Sequence, residues 1–242
     1  MVERSQQHDL ATACAIVAAA GSGERLGAGR PKALVTLGGR PMIAWSLIAM
    51  ERSGSVARAV IAAPEGAEEE FREAARASAA LDVQVTTGGT TRSESVALAL
   101  DAAGDATIVV VHDAARPLVA PELIDRCVAQ LERWGCDGVV AAARAVDTIK
   151  EADAGGRVIA TLERSSLWAV QTPQVFHAEK LRSALAATSL DRAYDDAQLV
   201  EAVGGDVRLV EAPRQNLKVT TEQDLHLAEL LLAERAAIVD AG

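Results

Sequence analysis

The chain has 242 residues, half of them hydrophobic, with aromatics at only 2%; that suits one α/β domain whose core is packed from small aliphatic side chains. A net charge of −10, from 34 acidic against 24 basic side chains, excludes a nucleic-acid or anionic-membrane surface and makes each loop Arg or Lys informative. Three cysteines, Cys14, Cys127 and Cys136, form no C-x-x-C pair; they exclude a disulfide framework or zinc site and read as reduced, buried thiols of a cytoplasmic protein.

In chain order, "MVERSQQHDLAT" is polar and lacks an apolar signal core, so residues 1–12 are expected to form a frayed tail. No run has the length of a membrane span. Residues 14–20 read as a buried strand that runs into the glycine loop "GSGERLGAGRPK". Strands are predicted at 58–63, 82–86, 107–111, 137–142 and 206–210. Helices are predicted at 42–52, 66–80, 92–103, 121–134, 178–188, 195–203 and 222–238. This alternation means crossover units: a mainly parallel sheet with helices on both faces, in a single domain over 1–242. "TRSE", Thr91 to Glu94, is a capping-box pattern, and Thr220 with Gln223 repeats it before the last helix. One stretch breaks the rhythm. "DTIKEADAGGRVIATLER" has two β-like segments about Gly155 and Gly156 with no helix between them, and reads as a hairpin arm inserted over 144–170. A lone hairpin is marginal in water, and this one carries Ile149, Val158, Ile159 and Leu162, with Trp168 just beyond. Either a second subunit exchanging arms or the chain's own core must cover them; the homodimer is the reading preferred here.

The glycine loop lets backbone N–H groups approach an anion, which Arg25 and Lys32 would neutralise. It is neither of two familiar phosphate loops. The dinucleotide fingerprint needs glycine where Leu26 stands, and in the Walker pattern the lysine does not follow proline as Lys32 does; both also require a helix where "ALVTLGG" reads as strand. A Rossmann dehydrogenase is disfavoured on those grounds. "TIVVVHDAARP" is a buried central strand with His112, Asp113 and Arg116 at its carboxyl end, where open α/β sheets bind ligands. Asp113 there can hold a ribose hydroxyl or face the Mg²⁺ of a nucleoside triphosphate, or simply cap a turn. His112 reads as a packed histidine without a catalytic role. In "GGTTRSESV", glycines permit close approach and Arg92 and Ser95 lie on the first turns of a helix whose N-terminus favours anions. Arg164 and Lys218 are single cations in polar settings. No G-x-S-x-G, no Cys–His pair and no H-E-x-x-H is present. An inventory of cations, glycines and one strand-end carboxylate suits nucleotidyl transfer, which needs charge stabilisation and in-line positioning but no covalent intermediate.

Taken together, "AAAGSGERLGAGRPKAL", "GGTTRSESV", "VHDAARP", "DTIK", "LERSSLWAVQTPQVF" and "NLKVT" resemble, in order and spacing, the 2-C-methyl-D-erythritol 4-phosphate cytidylyltransferases of the non-mevalonate isoprenoid pathway. The resemblance spans about residues 14 to 230. It implies a nucleotide-diphospho-sugar transferase fold, Rossmann-like, and a homodimer joined through the arms. It implies the reaction of CTP with methylerythritol 4-phosphate to give the CDP-linked alcohol and pyrophosphate, with Mg²⁺ or another divalent cation. It also implies roles: Ala19, Ala20, Gly21, Gly23, Arg25 and Lys32 hold CTP, Arg25 and Lys32 stabilising the α-phosphate. Gly89 and Ser95 meet the cytosine, and Asp113 with Ala114 the ribose or metal region, with Arg116 nearby. Thr148, Arg164 and Lys218 place the acceptor, the first two from the partner's arm, and Thr172 lies near it. Two positions depart from the family's pattern. Tyr194 replaces the usual threonine before Asp195 and Asp196, where its phenol is a possible substitute; Glu24 stands where relatives are often basic and is expected to point outward. Two alternatives share this scaffold: cytidylyl transfer to ribitol 5-phosphate, and a non-catalytic nucleotide-binding subunit. The latter is disfavoured by the presence of both Arg25 and Lys32.

Overall fold

The structure is a computed structural model that describes residues 12–21, 29–187 and 193–240. The expected tail at 1–12 lies, but for Thr12, outside the described residues, as do Gly23, Glu24 and Arg25.

Seven strands make one sheet. The first, β1 (Ala13–Ala18), is followed by a 3-10 turn (Lys32–Leu34) and two-residue strands β2 (Thr36–Leu37) and β3 (Arg40–Pro41). The stretch after Lys32 is therefore only partly the strand expected: it turns before it extends. Next come α1 (Met42–Arg52), β4 (Val56–Ala63), α2 (Glu68–Arg76), β5 (Asp82–Thr87), α3 (Arg92–Ala102) and β6 (Ile108–Asp113). α4 (Pro121–Trp134) leads to β7 (Gly138–Arg144), the arm strands β8 (Lys150–Ala152) and β9 (Val158–Thr161), and β10 (Trp168–His177). α5 (Ala178–Ala187), α6 (Asp196–Ala202), β11 (Val207–Glu211) and α7 (Glu222–Asp240) complete the chain.

The strand order is β11-β7-β10-β6-β1-β4-β5. β1 pairs in parallel with both β4 and β6. The chain steps outward from β1 to β5, then returns through α3 to β6 on β1's other side, so the strand order reverses between β1 and β6. A crevice opens at the carboxyl ends of such a pair. β6 is buried along its whole length, as its unbroken apolar run requires. Alternation along β1 feeds two cores. Ala15 and Val17 pack with Ile43 and Leu47 of α1, Phe71 of α2 and Ile124 of α4. Cys14 and Ile16 pack with Val96 and Leu100 of α3, Leu181 of α5 and Val200 of α6. All three cysteines are free and buried.

β10 is the element the sequence did not announce. It runs antiparallel to both β6 and β7. Pro173 within a central strand ordinarily argues against that assignment. The ladder accommodates it at an irregularity: pairing with β7 shifts register between Val170 and Gln174, and pairing with β6 begins only at Gln174.

The arm strands form their own two-stranded antiparallel sheet. Its turn is closed by Asp153 Oδ1, which accepts from the backbone N–H groups of Gly155 and Arg157, both at 2.9 Å, with Gly156 at φ 78°. The chain's own core does not cover the arm. Val158 is 55% and Ile159 63% exposed, and Ile149 and Leu162 are exposed beside them.

Candidate functional site

A cavity of about 560 Å³ lies at the carboxyl ends of β1 and β6. Its wall is assembled from five segments: Ala18 to Gly21, Lys32 with Ala33, Gly89 to Arg92 with Ser95, Asp113 to Ala115, and Lys218 with Thr220. Of the residues predicted for a site, Ala19, Ala20, Gly21, Lys32, Gly89, Ser95, Asp113, Ala114 and Lys218 line it. Lys32, Arg92 and Lys218 stand against the single carboxylate of Asp113, so three cations face one anion among the described lining residues. In a chain of net charge −10, three cations gathered on one cavity wall suit an anionic ligand, with Arg92 and Lys218 held meanwhile by carboxylates of the chain.

The glycine turn before α3 is shaped by contact. A Cβ on Gly88 would sit 2.7 Å from Ala20 Cβ and 2.9 Å from Ser95 Oγ, and one on Gly89 would run into Glu94 Cβ. Thr91 and Glu94 form the predicted capping box, and Glu94 Oε2 also accepts from Thr90 N–H at 2.7 Å. Ser95 Oγ accepts from Gly89 N–H at 3.1 Å and donates to Thr91 O at 2.8 Å. The serine thus fixes the turn as well as facing the cavity. At the last helix the box falls one residue later than predicted. Asp224 Oδ2 accepts from Thr220 Oγ1 at 2.7 Å and from Thr221 N–H at 2.9 Å, while Asp224 N–H donates to Thr221 Oγ1 at 3.2 Å.

Asp113 is 7% exposed and takes one cation on each oxygen. Arg92 Nε donates to Oδ1 at 2.9 Å and Lys218 Nζ to Oδ2 at 2.7 Å. Burial alone would raise its pKa, but the two cations outweigh burial and hold the carboxyl well below the usual range. Arg92 reaches further, with Nη1 donating to Asp196 Oδ2 at 2.7 Å. Asp196 is fully buried. Neither this second ion pair nor the lining by Thr90 and Thr220 was singled out by sequence; the partners of the pair lie 104 residues apart, and no local motif couples them.

Four predicted residues stand elsewhere. Thr172 is 3% exposed and is not part of the cavity wall. Its hydroxyl accepts from Asp113 N–H at 3.1 Å and lies 3.0 Å from His112 Nδ1, so it braces the end of β6. Arg116 Nη1 donates to Asn216 O at 2.8 Å, and its buried Nε has no partner among the described residues. Thr148 and Arg164 are exposed at the base of the arm, where Arg164 Nη1 donates to Val146 O at 2.9 Å; neither lines the cavity of its own chain. Tyr194 is 94% exposed, so its phenol does not stand in for a wall hydroxyl.

Among the described residues, no three or more His, Cys, Asp or Glu side chains are arranged to hold a metal, and no helix is long and apolar enough to cross a membrane.

The model of the 2-C-methyl-D-erythritol 4-phosphate cytidylyltransferase family matches residues 13–234. The chain is 46% identical over 220 residues to a protein of that name from Frankia casuarinae, covering 90% of this chain and 80% of the relative. It is 46% identical over 222 residues to the one from Rhodococcus jostii, covering 92% and 96%. Among solved structures, the enzyme of that name from Thermus thermophilus superposes with a TM-score of 0.75 at 35% identity, covering 91% of this chain and 98% of that one. The 4-diphosphocytidyl-2C-methyl-D-erythritol synthase of Anaerococcus prevotii gives 0.81 at 26% identity, covering 93% and 100%. A motif order read from the sequence, a fold and a cation-rich crevice therefore converge, and this chain belongs to the 2-C-methyl-D-erythritol 4-phosphate cytidylyltransferase family.

Proposed function

We infer that this chain is a nucleotidyltransferase that moves CMP from CTP to 2-C-methyl-D-erythritol 4-phosphate in isoprenoid precursor synthesis. An oxygen of the acceptor's phosphate attacks the α-phosphorus of CTP. The bond from that phosphorus to the oxygen bridging toward the β-phosphorus breaks, and pyrophosphate leaves with the electron pair. Such a step asks the protein for positioning and for charge placed where charge develops. The observation that supports the reading is the gathering of Lys32, Arg92 and Lys218 on the wall of one cavity among the described residues, in a member of this family.

In this reading, Ala19, Ala20 and Gly21 present backbone to the triphosphate while Lys32, with Arg25 from the loop, stabilises the α-phosphate. Gly89 and Ser95 face the base, Asp113 and Ala114 the ribose side, and Lys218 turns to the acceptor phosphate. Arg116 and Thr172 act from behind the wall by holding the end of β6 and the residues around Asn216. Thr148 and Arg164 serve the partner's cavity, since each is exposed away from its own. The homodimer this needs is favoured by the uncovered apolar side chains of the arm. A cytoplasmic location accords with three free cysteines.

A divalent cation fits only in part. Among the described residues Asp113 is the one wall carboxylate, and both its oxygens already accept from cations. A carboxylate keeps lone pairs to spare, so Asp113 is the described wall residue that would hold Mg²⁺. Bound there, the ion supplies charge neutralisation on the phosphates.

The test is pyrophosphate release from CTP with methylerythritol 4-phosphate, with ribitol 5-phosphate and with no acceptor. Release with the first alone is expected. Preference for ribitol 5-phosphate would reassign the acceptor, and CTP binding without release under any condition would make this a nucleotide-binding subunit.

A further inference from the structure

We propose that Asp196 is a positioning residue: through Arg92 it fixes the carboxylate of Asp113 and so leaves Lys218 able to turn to a substrate phosphate. This rests on the cytidylyl-transfer reading. Asp196 is fully buried and forms no part of the cavity wall, so it acts only through what it holds. What it holds is Arg92, whose Nη1 lies 2.7 Å from Asp196 Oδ2 while its Nε lies 2.9 Å from Asp113 Oδ1. One planar fork spans two carboxylates, a geometry that a lysine cannot reproduce.

The placement of Asp196 is enforced from both sides. Asp195 caps α6, its Oδ1 accepting from Gln198 N–H at 2.9 Å. Gln174 of β10 donates to Asp195 Oδ2 at 3.0 Å and accepts from Ala197 N–H at 3.2 Å. The Gln of "TPQ" thereby pins the first turn of α6 beneath the cavity, as the Thr pins the end of β6.

Stability alone does not account for a carboxylate here. Asp196 Oδ1 is buried without a hydrogen-bond partner among the described residues. A buried charge with an unsatisfied oxygen is costly, and a well-packed apolar pair in place of Asp196 and Arg92 together is often neutral or stabilising, whereas removing Asp196 alone leaves the buried Arg92 short of a partner and is destabilising. The four charged groups explain what the cost supports: Asp113 and Asp196 balance Arg92 and Lys218. When Lys218 leaves Asp113 for a phosphate, Asp113 keeps Arg92 and is not stranded as an unpaired buried anion. Without a held Arg92, the ammonium of Lys218 is the one cation left hydrogen-bonded to Asp113 among the described residues and stays tied to it.

The experiment compares Asp196→Asn, Arg92→Lys and the double variant with the parent, measuring kcat, KM for both substrates and the thermal midpoint. Each single variant is expected to lose at least about tenfold in kcat, within the roughly hundredfold that about 1 Å of misplacement can cost. The midpoint of Asp196→Asn is expected to fall, so kcat is compared per folded molecule well below it, where a purely structural role would leave kcat parent-like. The double variant should be no worse than the poorer single by more than about twofold, because both changes break one linkage. Parent-like kcat in folded Asp196→Asn, an activity loss that merely tracks the unfolded fraction, or losses that multiply in the double variant would each overturn the proposal. If Asp196→Asn does not fold, Arg92→Lys carries the same kcat criterion. A parent inactive with CTP and methylerythritol 4-phosphate rejects the transfer reading and the proposal with it, whereas an active parent with unaffected variants rejects the proposal alone.

Discussion

Burial decides the charge of His112 before any ligand arrives. Its Nε2 lies 3.2 Å from Arg116 O, and its Nδ1 lies 3.0 Å from Thr172 Oγ1. A carbonyl oxygen can only accept, so Nε2 carries the proton and Nδ1 accepts from the threonine hydroxyl. Burial, the largest influence, lowers its pKa to about 4. Between the ordinary value of 6.5 and about 4, the unfolded chain takes up a proton that the folded chain refuses. Stability therefore falls as pH drops through that window, by about 3 kcal/mol for this group. Asp113 contributes below it: its depressed pKa stabilises the fold above the ordinary carboxylate value and the gain is lost as pH falls further. Asp196, whose pKa burial raises, opposes the histidine. Denaturant unfolding of the parent and His112→Gln at pH 7.5 and 5 isolates the histidine: the variant should show the weaker acid loss, and equal losses would contradict this. A packed histidine was legible from the sequence because it closes an unbroken apolar strand. The ion pairs of Arg92 were not, because ionic partnership across 21 and 104 residues leaves no local pattern. The misplaced cap has a simpler cause. Two threonines stand in a row, and the carboxylate of Asp224 is a stronger acceptor than the amide of Gln223.

At the level of elements, periodicity carried the reading of strands and helices alike, since a strand buried on both faces and an amphipathic helix have different apolar spacing. β10 escaped because Pro173 and two glutamines interrupt its apolar run, while the register shift that admits them is a tertiary event. The arm was legible from two short β-like segments about a glycine pair, and its consequence is physical: a two-stranded sheet with apolar side chains facing water is marginal alone. Ile159 and Val158, 63% and 55% exposed, are the side chains a partner would cover. Ile159→Asp with Val158→Asp should shift the protein from dimer to monomer in sedimentation velocity and depress turnover, while far-UV circular dichroism stays parent-like. A dimer that persists unchanged, or a parent that is monomeric at micromolar concentration, would contradict the arm-mediated assembly.

For the molecule as a whole, strand order determines where chemistry can occur. The reversal between β1 and β6 opens the crevice, and segments from across the chain converge on its wall. If the arm completes the partner's site, two defects on different chains should complement. Lys32→Ala alone is expected to cut turnover by about 10² or more, as loss of one transition-state donor does, and Arg164→Ala to impair acceptor use more than CTP binding. Mixed dimers carrying one defect per chain restore one intact site and should recover activity; no recovery would remove the support for arm exchange. The most direct test of the central claim is a crystal structure of the chain with CTP bound. The account predicts the triphosphate in the crevice between β1 and β6, its phosphates within hydrogen-bond reach of Lys32 and the cytosine against the turn at Gly89 and Ser95. CTP bound elsewhere on the molecule, or seated in the crevice with Lys32 turned out to solvent, would contradict it.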